Sequence, residues 1–247
     1  MKNYRHILNV VLCFLVALSA SAANDIANFS RYENDNKRLM AEPNTGTRVV
    51  FMGNSITDNW ATGRTEFFEL NDFVGRGISG QTTYDMLLRF RDDVVNLKPA
   101  AVVIGGGTND IAQNNDITYV EDRTFGNIVS MAEIAQANNM KVLLASVLPV
   151  TSFAWNPNIT NHKDKIESLN ARIKEYAESH GMLYVDYYSK MVTPDRGLIG
   201  TLTTDGVHPN DAGYEIMEDI LLPLVRQFVN NTPKIKSTPM METSIEY

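Results

Sequence analysis

The chain has 247 residues, with 22 basic against 29 acidic side chains and a formal net charge of -7 at pH 7. A net negative charge disfavours binding to nucleic acid or to anionic membrane surfaces, so we expect neither as a partner. The single cysteine, Cys13, lies in the N-terminal apolar run. The rest of the chain therefore has no cysteine for a disulfide, for nucleophilic catalysis or for a thiolate metal site.

The first 22 residues have the pattern of a secretory signal peptide. Lys2 and Arg5 form a basic region, an apolar run follows over residues 7–18, and Ala-Ser-Ala at 20–22 suits a cleavage site. The apolar run is short for a membrane span, which needs about 20 residues. We therefore predict export to the periplasm or beyond, without stable membrane insertion after cleavage. An uncleaved anchor is the alternative.

Apolar runs and helical patterns alternate from residue 47 onward, after a polar lead-in over residues 23–46 for which we expect one short helix. Five apolar runs predict buried strands, at residues 49–52, 73–74, 101–104, 142–147 and 183–185. Apolar spacings of three and four predict helices between and after them, at residues 84–97, 125–137, 166–176 and 210–229. This alternation predicts one α/β domain, residues 47–230, with a five-stranded parallel sheet. We expect the polar tail, residues 231–247, to be disordered.

Ser55 follows the first predicted strand closely. It would lie at the start of the next helix, where free backbone N–H groups face its hydroxyl. A catalytic nucleophile and an ordinary helix-capping serine both fit this position. The chain has no Gly-x-Ser-x-Gly motif, which argues against an α/β-hydrolase.

His208 is the histidine best placed for catalysis. His6 lies in the predicted signal peptide, His180 lies at a helix end, and His162 opens a charged helix where we expect it to be solvated. His208 lies in an Asp-Gly-Val-His-Pro turn, in which Asp205 can accept the proton of Nδ1 and leave Nε2 free to take a proton from serine. A surface histidine in an Asp-capped turn is the alternative.

Nucleotides and metals are two ligand classes that the sequence disfavours. Residues 75–80 match Gly-x-Gly-x-x-Gly, but the next strand does not end in the acidic residue that dinucleotide binding requires. We interpret the segment as a loop that directs the Gly80 N–H into the site. Four possible ligands could gather near one sheet edge, namely Asp58, Asp110, Asp205 and His208. They lack the helical spacing of a metal motif, so we predict no metal and no cofactor.

Asn109 lies in the run Gly-Gly-Gly-Thr-Asn-Asp at residues 105–110, directly after the third predicted strand. The carboxyl edge of an open α/β sheet is where ligands bind. The run therefore predicts an amide hydrogen-bond donor at this edge of the sheet, next to glycine backbone without side chains.

Four blocks in chain order resemble the SGNH (GDSL-type) hydrolase family. They are Gly-Asn-Ser at 53–55, Gly-Ile-Ser-Gly at 77–80, Gly-Thr-Asn-Asp at 107–110 and Asp-Gly-Val-His at 205–208. The resemblance covers roughly residues 48–228 and implies a flavodoxin-like three-layer α/β/α sandwich. It also implies a triad of Ser55, His208 and Asp205. The implied oxyanion hole comprises the N–H groups of Ser55 and Gly80 and the side chain of Asn109.

One departure from the family pattern is Asn54, because the family name implies aspartate before the serine. An asparagine can still form a hydrogen bond across the turn, so we expect activity to survive the change. A second departure is Thr108, which we regard as harmless.

The resemblance implies a serine esterase that acts through an acyl-enzyme without a cofactor. The loops that follow the blocks interleave aromatic rings with amides, and we select Trp60, Asn114 and Trp155 as candidate substrate contacts. Packing within the loops is the alternative for both tryptophans. Rings and amides suit a sugar and its hydroxyls, and no long apolar lid is evident. We therefore favour a short-chain ester, acetyl in particular, on a carbohydrate.

Two alternatives stay open at this point. The blocks at 53–57 and 77–83 also resemble the platelet-activating-factor acetylhydrolase branch, so a lipid-type or phospholipid acyl ester, or a thioester, is the alternative substrate. A non-catalytic glycan-binding module on the same fold is the alternative of another class.

Overall fold

The computed structural model describes residues 25–43 and 46–229. The described residues form five strands: β1 Val49–Gly53, β2 Phe73–Gly77, β3 Ala101–Gly105, β4 Lys141–Ala145 and β5 Leu183–Val185. Their α-helices are α1 Glu33–Ala41, α2 Ser55–Gly63, α3 Thr65–Leu70, α4 Thr83–Asp93, α5 Thr108–Ile111, α6 Glu121–Ala137, α7 His162–Ser179, α8 Tyr188–Met191 and α9 Asp211–Val225. The predicted signal peptide (1–22) and tail (231–247) lie outside the described residues. Within the described ranges, no helix is long and apolar enough to cross a membrane.

The five strands form one parallel sheet in the order β2–β1–β3–β4–β5. The order reverses beside β1, which creates a topological switch point at the carboxyl edge of the sheet. Gly53 at the end of β1 pairs in register with Gly77 of β2 and with Gly105 of β3. The segments that follow these three strands therefore start at the same edge.

Side chains alternate along the strands and build one hydrophobic core on each face of the sheet. Val50 and Met52 of β1 belong to the core that packs against α4, α6 and α7. Val49 and Phe51 belong to the opposite core, which packs against α2, α3 and α9. Because both faces are buried, the strands are apolar at nearly every position. The result is the three-layer α/β/α sandwich that the sequence predicts.

The lead-in contains more structure than the one short helix expected. A 3₁₀ turn at Phe29–Arg31 precedes α1, and Leu39 of α1 is buried in the hydrophobic core. The lead-in also contacts the end of β2 and the loop after it, since the Tyr32 hydroxyl donates to the Gly77 carbonyl and the Ala27 carbonyl accepts Gln81 Nε2. Helix α1 and its turn therefore lie against the loop that carries one of the sequence blocks.

Candidate active site

Ser55 is the first residue of α2, directly after β1. The preceding residue, Asn54, is buried, and its side-chain oxygen accepts the N–H of Ile56 at 3.1 Å. An aspartate would cap the helix through the same oxygen. The amide therefore preserves the turn that presents Ser55 at the edge of the sheet.

Three predicted side chains form a continuous hydrogen-bonded line. Ser55 Oγ lies 2.8 Å from His208 Nε2, although the two residues are 153 positions apart in the chain. His208 Nδ1 lies 2.7 Å from Asp205 Oδ2. This arrangement suits proton transfer from the serine hydroxyl to the imidazole, with the carboxylate fixing the tautomer.

The turn over residues 205–208 holds the carboxylate in place through its other oxygen. Asp205 Oδ1 accepts the backbone N–H groups of Val207 at 2.9 Å and of His208 at 2.8 Å. Partial burial raises the pKa of Asp205, but the hydrogen bonds from the His208 backbone, the His208 ring and Val207 outweigh it and hold the pKa below its usual value. The carboxylate is therefore ionised at neutral pH.

This lowered pKa predicts how the contribution of Asp205 to stability depends on pH. A carboxyl with a lower pKa in the folded state stabilises the fold above its unfolded pKa, about 3.9, and loses this contribution as pH falls through the folded value. We expect the difference in melting temperature between wild type and Asp205→Asn to shrink as pH falls below about 4. Thermal melts of both proteins across pH check this. A difference that grows as pH falls below about 4 would contradict the assigned direction.

Gly80 lies in a left-handed turn after β2. Its φ of +83° is a conformation that glycine adopts without strain, and the space where a Cβ would stand is open. The Gly80 N–H donates no hydrogen bond to any of the residues that the structure describes. Ser55 likewise lies in the first turn of α2, where backbone donors have no partner within the helix. Both N–H groups are suitable donors for an incoming anion.

Asn109 lies in the short helix α5, which begins directly after Gly107 with its positive φ of +115°. The Asn109 side chain is 4 % exposed, and its Nδ2 donates to the Gln81 carbonyl at 2.8 Å. An amide nitrogen carries two protons, so one N–H remains for a ligand. Asn109 shares an open pocket of about 350 Å³ with Ser55, Gly80 and His208. The other lining residues are Asn59, Ser79, Asn114 and Trp155.

The structure places two of the three predicted substrate contacts, Trp155 and Asn114, at the pocket and buries the third, Trp60, in the core. Trp155 is 47 % exposed, its ring centroid lies 6.4 Å from that of His208, and its Nε1 donates to Asn114 Oδ1 at 2.8 Å. Trp155 and Asn114 both line the pocket. The prediction for Trp60 is wrong, because this side chain is 2 % exposed and its Nε1 donates to Glu218. Trp60 packs within an aromatic cluster of the hydrophobic core.

His162 also differs from expectation. It is 5 % exposed rather than solvated, and its ring nitrogens lie 3.0 and 3.1 Å from the carbonyl oxygens of Ile159 and Val150. The loop before α7 folds back over the first turn of the helix, which a charged helical pattern does not reveal. His162 therefore belongs to the packing of this loop and does not line the pocket.

The carboxylates considered as metal ligands have other partners. Asp110 is buried and accepts hydrogen bonds from the backbone and hydroxyl of Thr83, and its burial raises its pKa. Asp58 accepts the Ser79 hydroxyl at 2.9 Å. In the part of the chain that the structure describes, no three His, Cys, Asp or Glu side chains are grouped to hold a metal ion.

The sequence patterns did not indicate four residues that lie at or beside the pocket. Asn59 and Ser79 line it, and Gln81 and Arg89 are connected to Asn109 by hydrogen bonds. Ser79 and Gln81 flank Gly80, so their position in a recognised block was the available signal. Arg89 lies in a helix with an amphipathic sequence pattern. An arginine in such a pattern is expected on the exposed face, so its complete burial could not be inferred from the sequence.

Comparison with known families identifies the family of this chain. The model of the GDSL-like lipase/acylhydrolase family matches residues 51–216, which include all four sequence blocks. The chain belongs to this family. As a GDSL acylhydrolase it is a carboxylic ester hydrolase.

Individual relatives of this GDSL acylhydrolase include lipases and esterases. A GDSL-like lipase structure from Bacteroides thetaiotaomicron is 50 % identical, with a TM-score of 0.79 over 81 % of this chain and 98 % of that one. An acetylxylan esterase of Geobacillus stearothermophilus is 26 % identical over 70 % of this chain and 91 % of its own. Another, from Xylanibacter ruminicola, is 24 % identical over 77 % of this chain. The match spans 45 % of the Xylanibacter enzyme's length.

Proposed function

We propose that this GDSL acylhydrolase removes a short acyl group, acetyl in particular, from a carbohydrate ester. The observation that carries the chemistry is the hydrogen-bonded line from Asp205 through His208 to Ser55. His208 Nε2 takes the proton from Ser55 Oγ as this oxygen attacks the ester carbonyl. Asp205 keeps the second imidazole proton on Nδ1 and stabilises the charged ring.

The negative charge that develops on the carbonyl oxygen needs hydrogen-bond donors within the same pocket. The backbone N–H groups of Ser55 and Gly80 and the second amide proton of Asn109 supply them. When the tetrahedral intermediate collapses, His208 gives its proton to the leaving alcohol and the acyl group remains on Ser55. Water then repeats the sequence with His208 as base, which releases the acid and restores the serine.

The oxyanion role of Asn109 predicts a large kinetic effect. We expect Asn109→Ala to lower kcat about 100- to 1000-fold, because one preorganised donor is lost. The unpaired Gln81 carbonyl should lower stability by about 1–3 kcal/mol. Steady-state kinetics and thermal melts measure both effects. Asn170→Ala is the matched control, since this buried amide also bonds backbone groups but does not line the pocket. An equal fall in kcat in both variants would contradict the role.

The carbohydrate proposal rests on the polar character of the pocket. Trp155 offers an exposed ring beside His208, while Asn59 and Asn114 offer amides at the same pocket. A ring surrounded by amides suits the face and hydroxyls of a sugar. The similarity to two acetylxylan esterases supports the same substrate class. A lipid-type acyl ester or thioester is the alternative substrate, and it would require apolar surface for a long acyl chain.

Two substrate series test the proposal together. Initial rates on p-nitrophenyl esters of increasing acyl length should fall steeply beyond the shortest chains, and acetylated xylooligosaccharides should release acetate. Trp155→Ala should raise KM for the oligosaccharide about 2- to 10-fold through loss of the ring contact, and leave KM for p-nitrophenyl acetate unchanged. A flat or rising acyl-length profile would favour the lipid or thioester alternative. Absence of turnover on every ester would favour the glycan-binding module.

Export of the enzyme is a separate proposal, carried by the basic and apolar pattern of residues 1–22. Export would place the enzyme where polymeric or oligomeric glycans outside the cytoplasm are accessible.

A further inference from the structure

Arg89 of α4 is completely buried, and its guanidinium contacts three acceptors, two of which lie outside α4. Nη2 donates to the Gly53 carbonyl at 2.9 Å, Nε donates to Gln81 Oε1 at 2.6 Å, and Nη1 donates to Asp93 Oδ2 at 2.7 Å. A guanidinium is rigid and planar, so it fixes the relative positions of the groups that it binds.

Two of these acceptors flank the proposed reaction centre. Gly53 ends β1 two residues before Ser55, and Gln81 directly follows Gly80. One buried side chain therefore connects the strand that presents the nucleophile to the loop that presents an oxyanion donor.

Gln81 extends this connection to the third donor. Its side chain is held at both ends, since Oε1 accepts from Arg89 and Nε2 donates to the Ala27 carbonyl at 2.7 Å. Its own backbone carbonyl accepts one proton of the Asn109 amide. That contact leaves the other proton of the amide for the oxyanion and restricts the directions in which it can point.

We propose that Arg89 and Gln81 are positioning residues, which set the Asn109 amide and the Gly80 loop relative to Ser55 without touching substrate. This inference rests on the proposed function, because the oxyanion donors have a role only in that reaction. Burial of an ion pair such as Arg89–Asp93 carries a desolvation cost that apolar side chains of similar volume avoid. The pair is therefore poorly explained by stability alone, whereas fixed geometry at the reaction centre explains its three directed contacts.

The test is a double-mutant cycle between Gln81→Met and Asn109→Ala, with kcat and KM measured on p-nitrophenyl acetate. Misplacement of a catalytic group by about 1 Å can cost roughly 100-fold in rate. We therefore expect Gln81→Met to lower kcat about 10- to 100-fold in the wild-type background with KM nearly unchanged. In the Asn109→Ala background the same change should lower kcat by a clearly smaller factor, because the Asn109 donor is already gone and only the effect on the Gly80 loop remains.

Equal losses of kcat in the two backgrounds would overturn the proposal, and so would a loss confined to KM. Retained turnover in Ser55→Ala would instead refute the proposed function, so the two failures are distinguishable.

Arg89→Lys gives a second measurement that does not depend on the Gln81 variant being folded. A lysine ammonium cannot reach three acceptors in the fork geometry of arginine, so kcat should again fall about 10- to 100-fold. Arg48→Lys is the matched control, since Arg48 is also buried and donates to the Leu97 carbonyl at 3.0 Å, outside the contacts of Arg89 and Gln81. Arg48→Lys should lower the melting temperature and leave kcat within about twofold. Similar losses of kcat in both lysine variants would show a general structural role and overturn the assignment.

Discussion

Ser55→Ala is expected to abolish turnover while the protein stays folded. The variant loses the oxygen that lies 2.8 Å from His208 Nε2, so the proposed nucleophile for the acyl carbonyl is gone. Loss of a triad serine lowers kcat by roughly 10⁴- to 10⁶-fold in well-studied hydrolases, and we expect an effect in this range. Ser55 is only half-buried and its side chain bonds one partner, so stability should change by about 1 kcal/mol or less.

Ester hydrolysis and thermal melts of purified Ser55→Ala and wild type measure the two effects. Ser189→Ala is the matched control, because this exposed serine lies at the start of α8 and does not line the pocket. We expect the control to retain wild-type kinetics. Turnover in Ser55→Ala comparable to wild type would exclude Ser55 as the nucleophile, whatever the substrate.

Asp205→Asn is expected to lower kcat by about 10⁴-fold with little change in structure. The Asp205 Oδ1 atom accepts the N–H groups of Val207 and His208, and an asparagine oxygen can keep both bonds. The amide nitrogen would then face His208 Nδ1 in place of Oδ2. Because this nitrogen is a donor, it favours the tautomer whose proton lies on Nε2, and that tautomer cannot accept the serine proton.

The pH dependence of kcat distinguishes this cause from a structural one. At high pH, hydroxide can remove the Ser55 proton that the imidazole no longer accepts. Part of the lost activity should therefore return in Asp205→Asn. Asp195→Asn is the control, since this exposed carboxylate also has a lowered pKa, mainly through its bond from Thr193, but lies outside the pocket. A loss below about tenfold in Asp205→Asn would contradict the proposed part of the carboxylate.

The central strands were predictable from sequence because burial on both faces leaves an uninterrupted apolar run. Strand β3, Ala101–Gly105, contains the predicted run 101–104 and continues it by one residue. Strand β2 is longer than its apolar run, since Gly75, Arg76 and Gly77 continue it. A Cβ at Gly75 would lie 2.3 Å from the Cβ of Ala61 in α2, so close packing requires a glycine where a hydrophobic pattern shows a gap.

The side chains placed at the site were predictable where a short turn determines their surroundings. Asp205 and His208 are three residues apart, and the turn between them leaves few arrangements. Trp60, His162 and Arg89 could not be placed in this way. Their environments are formed by segments distant in the chain, such as Glu218 against Trp60 and the Gly53 carbonyl against Arg89.

Trapping the acyl-enzyme is the measurement that tests the central claim most directly. Wild-type enzyme is mixed with p-nitrophenyl acetate, quenched in acid within the first turnover, digested and mapped by tandem mass spectrometry. The account predicts one acetyl group on the peptide containing Ser55, located on that residue, and none in Asp205→Asn treated for the same short time. An acetyl group on another residue, or turnover without any covalent adduct on Ser55, would contradict it.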